Sequence, residues 1–247
     1  MCCFSWNGLR WEWVLVPVFA LCGFWNARFA WRSGGYLTRS SAAGSVEPGL
    51  AVRLGFRRTL RPGRRRVHPP AVLLAAVALL SIVSGCFLLD RLGPSVAFAG
   101  AYIAVSILIA LAVIDARSGY LPDALTLPLM WLGLAMAWGG HGQPASDALA
   151  GAMLGYVFLR VLFEVFRRLT GREGMGYGDF KLAAALGAWL GPSALLHALV
   201  LACLAGTAYA CWRRAFHGGA TSYPFGPFLA FGALPGLAGF TELQLPF

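Results

Sequence analysis

The stretch PAVLLAAVALLSIVSGCFLL, residues 70–89, carries no charged side chain in twenty consecutive positions. Roughly 20 apolar residues cross the hydrocarbon core of a bilayer as an α-helix. The stretch VAFAGAYIAVSILIALAVI, residues 96–114, follows closely and has the same character. Two long apolar segments separated by a short polar one predict a helical protein that crosses a membrane more than once.

The composition of the whole chain agrees with this reading. Of its 247 residues, 58% are hydrophobic and 12% are charged, whereas about 25% of the residues in a soluble domain are charged. We predict an all-α, polytopic membrane protein of about eight transmembrane helices. The eight apolar segments are 12–31, 70–89, 96–114, 124–139, 146–166, 181–192, 194–212 and 224–240.

Basic residues predict the orientation of these segments. The net charge is +10, and the loop 32–69 contains RLGFRRTLRPGRRR (53–66) with seven arginines. Because cytoplasmic loops carry an excess of Arg and Lys, we place this loop in the cytoplasm. Alternation then puts the loops 115–123 and 167–181 on the same side. The basic run holds a single aromatic residue, Phe56, and no nucleic-acid-binding motif, so we do not expect nucleic acid as a partner.

Cysteine and histidine do not form a metal-binding pattern. The six cysteines and four histidines are scattered along the chain, and no pair of cysteines has the Cys-x-x-Cys spacing. We therefore expect neither a disulfide framework nor a zinc site.

Two aspartates are predicted to meet at one membrane face. Asp115 ends the third segment in IDARSGYLPD (114–123), and Asp179 opens the sixth in REGMGYGD (172–179). A carboxylate at the edge of the hydrocarbon is costly, which indicates a function. Capping of a helix N-terminus would explain Asp179. It would not explain Asp115, because the dipole at a helix C-terminus disfavours negative charge.

A pair of neighbouring aspartates can share one proton, since two like charges in close contact do not both ionise easily. The ionised carboxylate can activate water, and the protonated one can donate a hydrogen bond to a scissile carbonyl. This is the chemistry of an aspartic protease. Gly174, Gly176 and Gly178 would leave room beside Asp179 for an extended substrate. The spacing of these glycines does not fit a phosphate-binding loop.

Three motifs carry a resemblance to a known family. EGMGYGDFKLAAALGAWLG (173–191) closely resembles the GxGD signature of the type IV prepilin peptidases. IDARSGYLPDALTLPLMWLGL (114–134) resembles the other aspartate motif of this family, and YPFGPFLAFGAL (223–234) resembles its C-terminal span. The resemblance implies that Asp115 and Asp179 are catalytic. It also implies supporting motif positions at Gly176, Gly178, Glu173, Lys181 and Asp123.

The resemblance further implies a domain organisation. Residues 70–247 would form a membrane-embedded GxGD aspartic peptidase domain. Residues 1–69 would form a first transmembrane helix and a basic cytoplasmic loop, a reduced N-terminal region. Members of the family usually carry two zinc-binding Cys-x-x-Cys pairs there, and this loop has no cysteine, so no zinc is expected.

The activity implied is endoproteolysis at the cytoplasmic face of the bacterial inner membrane. The substrates would be type IV prepilins or type II secretion pseudopilins, whose short leader is removed next to an apolar helix. Proteolysis of this kind needs no cofactor. Many members also methylate the new N-terminus with S-adenosylmethionine, and this second activity stays open for the present chain. The expected partners are the prepilin or pseudopilin and the lipid bilayer.

Two other classes of function stay open at this point. A non-catalytic membrane scaffold of a pilus or secretion system would not need intact aspartates and glycines. A proton-coupled transporter using Asp115 and Asp179 would place its carboxylates nearer the midplane and would have broken helices in both halves of the chain. The residues also leave open which aspartate is the base and which the acid.

Overall fold

A computed structural model describes residues 11–43, 69–171, 175–217 and 223–237. Within these ranges the chain forms helices and no strand. The helices are α1 Trp11–Ala43, α2 Ala71–Leu92, α3 Val96–Ser118, α4 Asp123–Trp138, α5 Ala145–Thr170, α6 Tyr177–His217 and α7 Gly226–Leu237. The predicted all-α architecture is confirmed.

Membrane-spanning length and composition are found in several of these helices. Within the described ranges, α2, α3, α5 and α6 are long and apolar enough to cross a membrane, and α4 and α7 are apolar but shorter. The fold is therefore that of a polytopic membrane protein. The division into the domains 1–69 and 70–247 stays a prediction.

The sixth and seventh predicted segments form one element, α6, which is broken at Gly191. This glycine has φ 72° and ψ 176°, a backbone conformation that glycine adopts without a steric penalty. Pro192 follows it and cannot continue the hydrogen bonding of a regular helix. The break leaves an N-terminal half of α6 that is almost wholly buried, with Leu182, Ala183 and Leu186 each 0% exposed.

Helix α1 is longer than the sequence predicts, since it continues to Ala43 instead of ending near residue 31. Its extension packs closely on α3, and a Cβ on Gly34 would lie 3.3 Å from Cβ of Arg117. The guanidinium of Arg117 stacks on the ring of Trp31 at 3.4 Å and donates to its backbone carbonyl. The arginine-rich run 53–66 lies outside the described residues.

Small residues bring α5 and α6 into backbone contact. A Cβ on Gly151 would lie 2.3 Å from the carbonyl oxygen of Gly187, and one on Gly155 would lie 2.5 Å from that of Ala183. Close approach of this kind favours van der Waals packing between helices in a bilayer. Helix α6 also packs on α4 and α7, and α7 packs on α3. These contacts bring the end of α3 next to the starts of α6 and α7.

Candidate active site

The two predicted catalytic aspartates are the buried carboxylates of the described residues. Asp115 is 4% exposed and Asp179 is 6% exposed. They come from different helices, and the charge of Asp115 acts on Asp179. The structure therefore brings together the pair that the sequence singles out.

Asp115 lies in the last turn of α3, which ends at Gly119 in the left-handed conformation with φ 62°. The dipole of α3 disfavours a negative charge at this position. A second helix compensates for this, because the backbone N–H of Gly226 at the start of α7 donates to Oδ2 of Asp115 at 2.9 Å. The position is therefore supported by a helix that is distant in the sequence.

Asp179 lies in the first turn of α6, three residues after Gly176. The backbone N–H of Gly176 donates to Oδ2 of Asp179 at 3.1 Å. A side chain at the third helical position that accepts from the N-cap N–H makes one half of a capping box. Asp179 is thus not the N-cap itself, the role considered from the sequence. It lies inside the first turn and accepts the N–H of the N-cap residue, Gly176, through one oxygen of its carboxyl group.

The two carboxyl groups are held in the same way. Each accepts a backbone N–H through Oδ2, at the start of α7 for Asp115 and at the start of α6 for Asp179. Among the described residues, no hydrogen bond is made to Oδ1 of either side chain. One oxygen of each carboxyl group therefore accepts no hydrogen bond from the described residues.

The close approach at Gly178 is made by the protein itself. A Cβ on Gly178 would lie 2.7 Å from Cβ of Leu121, which belongs to the loop 119–122 between α3 and α4. Gly176, in contrast, is exposed, and its nearest neighbour would be Oδ2 of Asp179 at 3.5 Å. The space expected for a substrate at Gly178 is filled by Leu121. Gly174 lies outside the described residues.

Lys181 and Asp123 form an ion pair at the edge of the site, with Nζ and Oδ2 2.6 Å apart. The two side chains are 36% and 48% exposed, so the pair contributes little to stability, on the order of 0 to 1 kcal/mol. The ion pair matters more for the arrangement of the helices, because it joins the N-terminal part of α6 to the first residue of α4. Burial raises the pKa of Tyr120 in the adjoining loop, and Asp123 adds to the rise while Lys181 opposes it.

Sequence reasoning missed two residues of the site, Gly226 and Leu121. The Gly-Pro pair at the start of the apolar run of α7 could have indicated that a helix begins at Gly226, since proline is common in the first turn of a helix. The supporting position Glu173 lies outside the described residues. In the part of the chain that the structure describes, no group of three or more His, Cys, Asp or Glu side chains is placed to hold a metal ion.

Residues 102–211 match the type IV leader peptidase family, and this segment contains both buried aspartates. The chain is 45% identical over 165 residues to a prepilin leader peptidase/N-methyltransferase of Dickeya chrysanthemi, covering 64% of this chain and 58% of that protein. The corresponding protein of Burkholderia pseudomallei is 43% identical over 176 residues, covering 69% and 56% of the two chains. That of Klebsiella pneumoniae is 51% identical over 111 residues, covering 45% and 49%.

The chain spans about half the length of the curated relatives it matches. The comparison with solved structures found no significant match. The resemblance to type IV prepilin peptidases, predicted from three motifs, is confirmed by these matches.

Proposed function

Because its residues 102–211 match the type IV leader peptidase family, we propose that this protein is a membrane aspartic endopeptidase that removes the leader of type IV prepilins or type II pseudopilins. The observation that carries the proposal is the pair of buried aspartates, Asp115 and Asp179, which come from two helices and each accept a backbone N–H at the start of a helix. The relatives reported above are named prepilin leader peptidases, which supports the same substrate class.

The mechanism assigns one proton to the pair. The ionised carboxylate removes a proton from water, and the water oxygen attacks the carbonyl carbon of the scissile peptide. The protonated carboxyl group donates its hydrogen to the carbonyl oxygen. Collapse of the tetrahedral intermediate breaks the C–N bond: one carboxyl group gives its proton to the leaving amine, and the other carboxylate takes the proton of one hydroxyl group, so that the pair again holds one proton. Asp115 and Asp179 exchange the roles of acid and base in the course of the reaction.

The backbone contacts of the site suit this mechanism. Both carboxyl groups are fixed through Oδ2 by backbone N–H groups, so their Oδ1 atoms are oriented before the substrate arrives. Preorganised polar groups in a site that excludes water lower the barrier because they do not have to reorient during the reaction. The ion pair between Lys181 and Asp123 would support the site by keeping the starts of α4 and α6 together.

The distribution of arginine supports an active site at the cytoplasmic face of the bacterial inner membrane. Asp115 lies near Arg117 at the end of α3, and the ends of α5 and α6 carry further arginines. Cytoplasmic segments are enriched in such residues. The leader of the substrate would then approach from the cytoplasm, while its apolar helix stays in the bilayer.

The transporter reading has less support. A carboxylate relay across a membrane would be served by acids near the middle of broken helices. Here Asp115 lies in the last turn of α3 and Asp179 in the first turn of α6. Among the described helices, the non-helical backbone is at Gly191 in α6, so broken helices in both halves of the chain are not found in these ranges.

Methyl transfer is part of the names of the relatives, and S-adenosylmethionine would supply the methyl group. A cavity of about 300 Å³ lies between α2, α3 and α7, and its lining is apolar apart from Ser84. It offers no carboxylate to the ribose hydroxyls or the amino group of S-adenosylmethionine, so this cavity does not fit the cofactor. We assign no residue to methyl transfer.

The test is co-expression of the full chain with a tagged prepilin, followed by mass spectrometry of the pilin N-terminus. The wild type should yield a leaderless pilin, and Asp115→Asn and Asp179→Asn should each leave the leader intact while the protein accumulates in the membrane. Asp147→Asn is the matched control, because Asp147 is exposed and lies at the start of α5.

An intact leader with a stably inserted wild-type protein would contradict the peptidase assignment and favour the scaffold. Cleavage by either aspartate variant at the wild-type rate would contradict the assignment of the pair. The same spectra report methylation, because a methylated N-terminus is heavier by one methyl group.

A further inference from the structure

The first residue of α7, Gly226, contacts the carboxyl group of Asp115 on α3. Its backbone N–H donates to Oδ2 at 2.9 Å, and the bond is buried. We propose that Gly226 is a positioning residue for the reaction, which fixes the orientation of the Asp115 carboxyl group from the start of α7. The inference rests on the proposed peptidase function and assigns a role to a residue outside the segment that matches the family.

At the start of α7, the N–H of Gly226 is not used by a hydrogen bond within the helix and can donate to Asp115. The first N–H groups of a helix have no partner within the helix itself. Pro227 has no N–H, and the N–H groups of Phe228 and Leu229 both donate to the carbonyl of Phe225 at 3.1 Å. Gly226 therefore provides the remaining N–H, and Asp115 accepts it. The dipole of α7 favours a negative charge at the same place.

The absence of a side chain at Gly226 is a steric requirement. A Cβ there would lie 2.7 Å from Oδ2 of Asp115 and 3.1 Å from its Cγ. Gly226 is not among the glycines with positive φ, so its backbone conformation does not demand glycine. The demand comes from proximity, since any side chain would push the carboxyl group or α7 away and break the hydrogen bond.

Few other polar groups act on this carboxyl group. Helix α7 contains no titratable side chain. On α6, Asp179 interacts with it electrostatically. On α3 itself, Arg117 stacks on Trp31 of α1, and the ion pair between α4 and α6 balances its own charges. Gly226 is thus the hydrogen-bond donor that orients Asp115 within the described residues.

A matched pair of variants separates positioning from packing. Gly226→Ala would place a methyl group against Asp115. Gly236→Ala changes the same helix near its other end, and its Cβ would lie 2.6 Å from Cδ2 of Leu190 on α6, a side-chain end that can move, away from the carboxyl groups. Both variants should destabilise the contacts of α7, but Gly226→Ala alone should disturb Asp115.

The experiment uses the full-length protein in detergent, with the tagged prepilin that the wild type cleaves. Initial rates over a series of substrate concentrations and pH values are divided by the folded fraction. For Gly226→Ala we expect kcat to fall about 100-fold with KM little changed, since misplacement by about 1 Å has effects of this size. Its pH profile should also differ from that of the wild type, because the lost hydrogen bond changes the environment of one member of the pair. Gly236→Ala should keep the wild-type kcat per folded molecule and the wild-type pH profile.

A second measurement does not depend on activity. The carboxyl band of Asp115 in the infrared spectrum is identified by its loss in Asp115→Asn, and its intensity is followed against pH. The midpoint should move in Gly226→Ala and not in Gly236→Ala. An unchanged midpoint, or equal loss of kcat per folded molecule in the two variants, would overturn the inference. A wild-type protein that cleaves no prepilin would overturn the proposed function instead, and the infrared titration would still test the positioning of Asp115.

Discussion

The two glycines that flank Tyr177 differ in what surrounds them, and this difference gives a sharp prediction. A Cβ on Gly178 would lie 2.7 Å from Cβ of Leu121, whereas a Cβ on Gly176 would meet no atom closer than Oδ2 of Asp179 at 3.5 Å. Ordinary van der Waals contacts of a Cβ begin near 3.4 Å. Gly178→Ala must therefore move Leu121 or the start of α6 by about 0.7 Å, while Gly176→Ala fits without movement.

This displacement acts directly on the site, because Asp179 is the next residue after Gly178. A shift approaching 1 Å in a catalytic group can lower the rate by about 100-fold. We expect Gly178→Ala to lower kcat/KM by about 10- to 100-fold, which corresponds to about 1.4 to 2.7 kcal/mol of transition-state stabilisation. Overpacking should also lower the free energy of unfolding by about 1 to 3 kcal/mol. Gly176→Ala should change kcat/KM by less than about threefold, because the added Cβ meets no atom closer than ordinary contact distance. Replacing the N-cap glycine should still cost roughly 1 kcal/mol in helix stability.

The assay is cleavage of a tagged prepilin in detergent by each purified variant, with the thermal unfolding of each measured in parallel. Judged from the GxGD motif alone, Gly176 and Gly178 would be equally important for cleavage. If Gly176→Ala were as damaging as Gly178→Ala, or if Gly178→Ala cleaved at the wild-type rate, the steric reasoning would be refuted.

Three further predictions follow from the packing and the chemistry. Gly151→Ala should lower the free energy of unfolding by about 1 to 3 kcal/mol, because its Cβ would lie 2.3 Å from the carbonyl oxygen of Gly187. Thermal unfolding measures this change. The control is Gly142→Ala, which has no neighbour within 4 Å and should unfold like the wild type. A double-mutant cycle of Lys181→Met and Asp123→Asn should give a coupling in stability below about 1 kcal/mol, and a larger value would mean that the pair is more than an exposed contact. The cleavage rate should fall at both low and high pH, because the mechanism needs one protonated and one ionised carboxyl group, and a rate independent of pH from pH 4 to 9 would contradict this.

Much of the architecture is readable from the sequence. Apolar segments at 70–89, 96–114, 124–139 and 146–166 each correspond to one observed helix, because burial in a bilayer requires an apolar stretch of fixed minimum length. The sequence did not predict that α1 continues to Ala43. Its extension is polar and glycine-rich, and it is supported by contacts with Arg117 on another helix.

The residues of the candidate site were likewise predictable from the sequence only in part. Asp115 and Asp179 are recognisable as candidates because a carboxylate is costly at the edge of an apolar helix. What each carboxyl group contacts was not predictable. The donor to Asp115 is Gly226, which lies 111 positions further along the chain; the Gly-Pro pair there indicates the start of a helix, but not this contact.

The sequence by itself predicted that the chain is helical, that it crosses a membrane, and that Asp115 and Asp179 are the candidate catalytic residues. These properties follow from the hydropathy of single segments and from the cost of burying a charge. Only the tertiary structure decided that Leu121 fills the space at Gly178 and that the first residue of α7 donates a hydrogen bond to Asp115. The physical reason is that steric contacts and hydrogen bonds are set over 3 to 4 Å, and which residues come within that range depends on how distant helices pack.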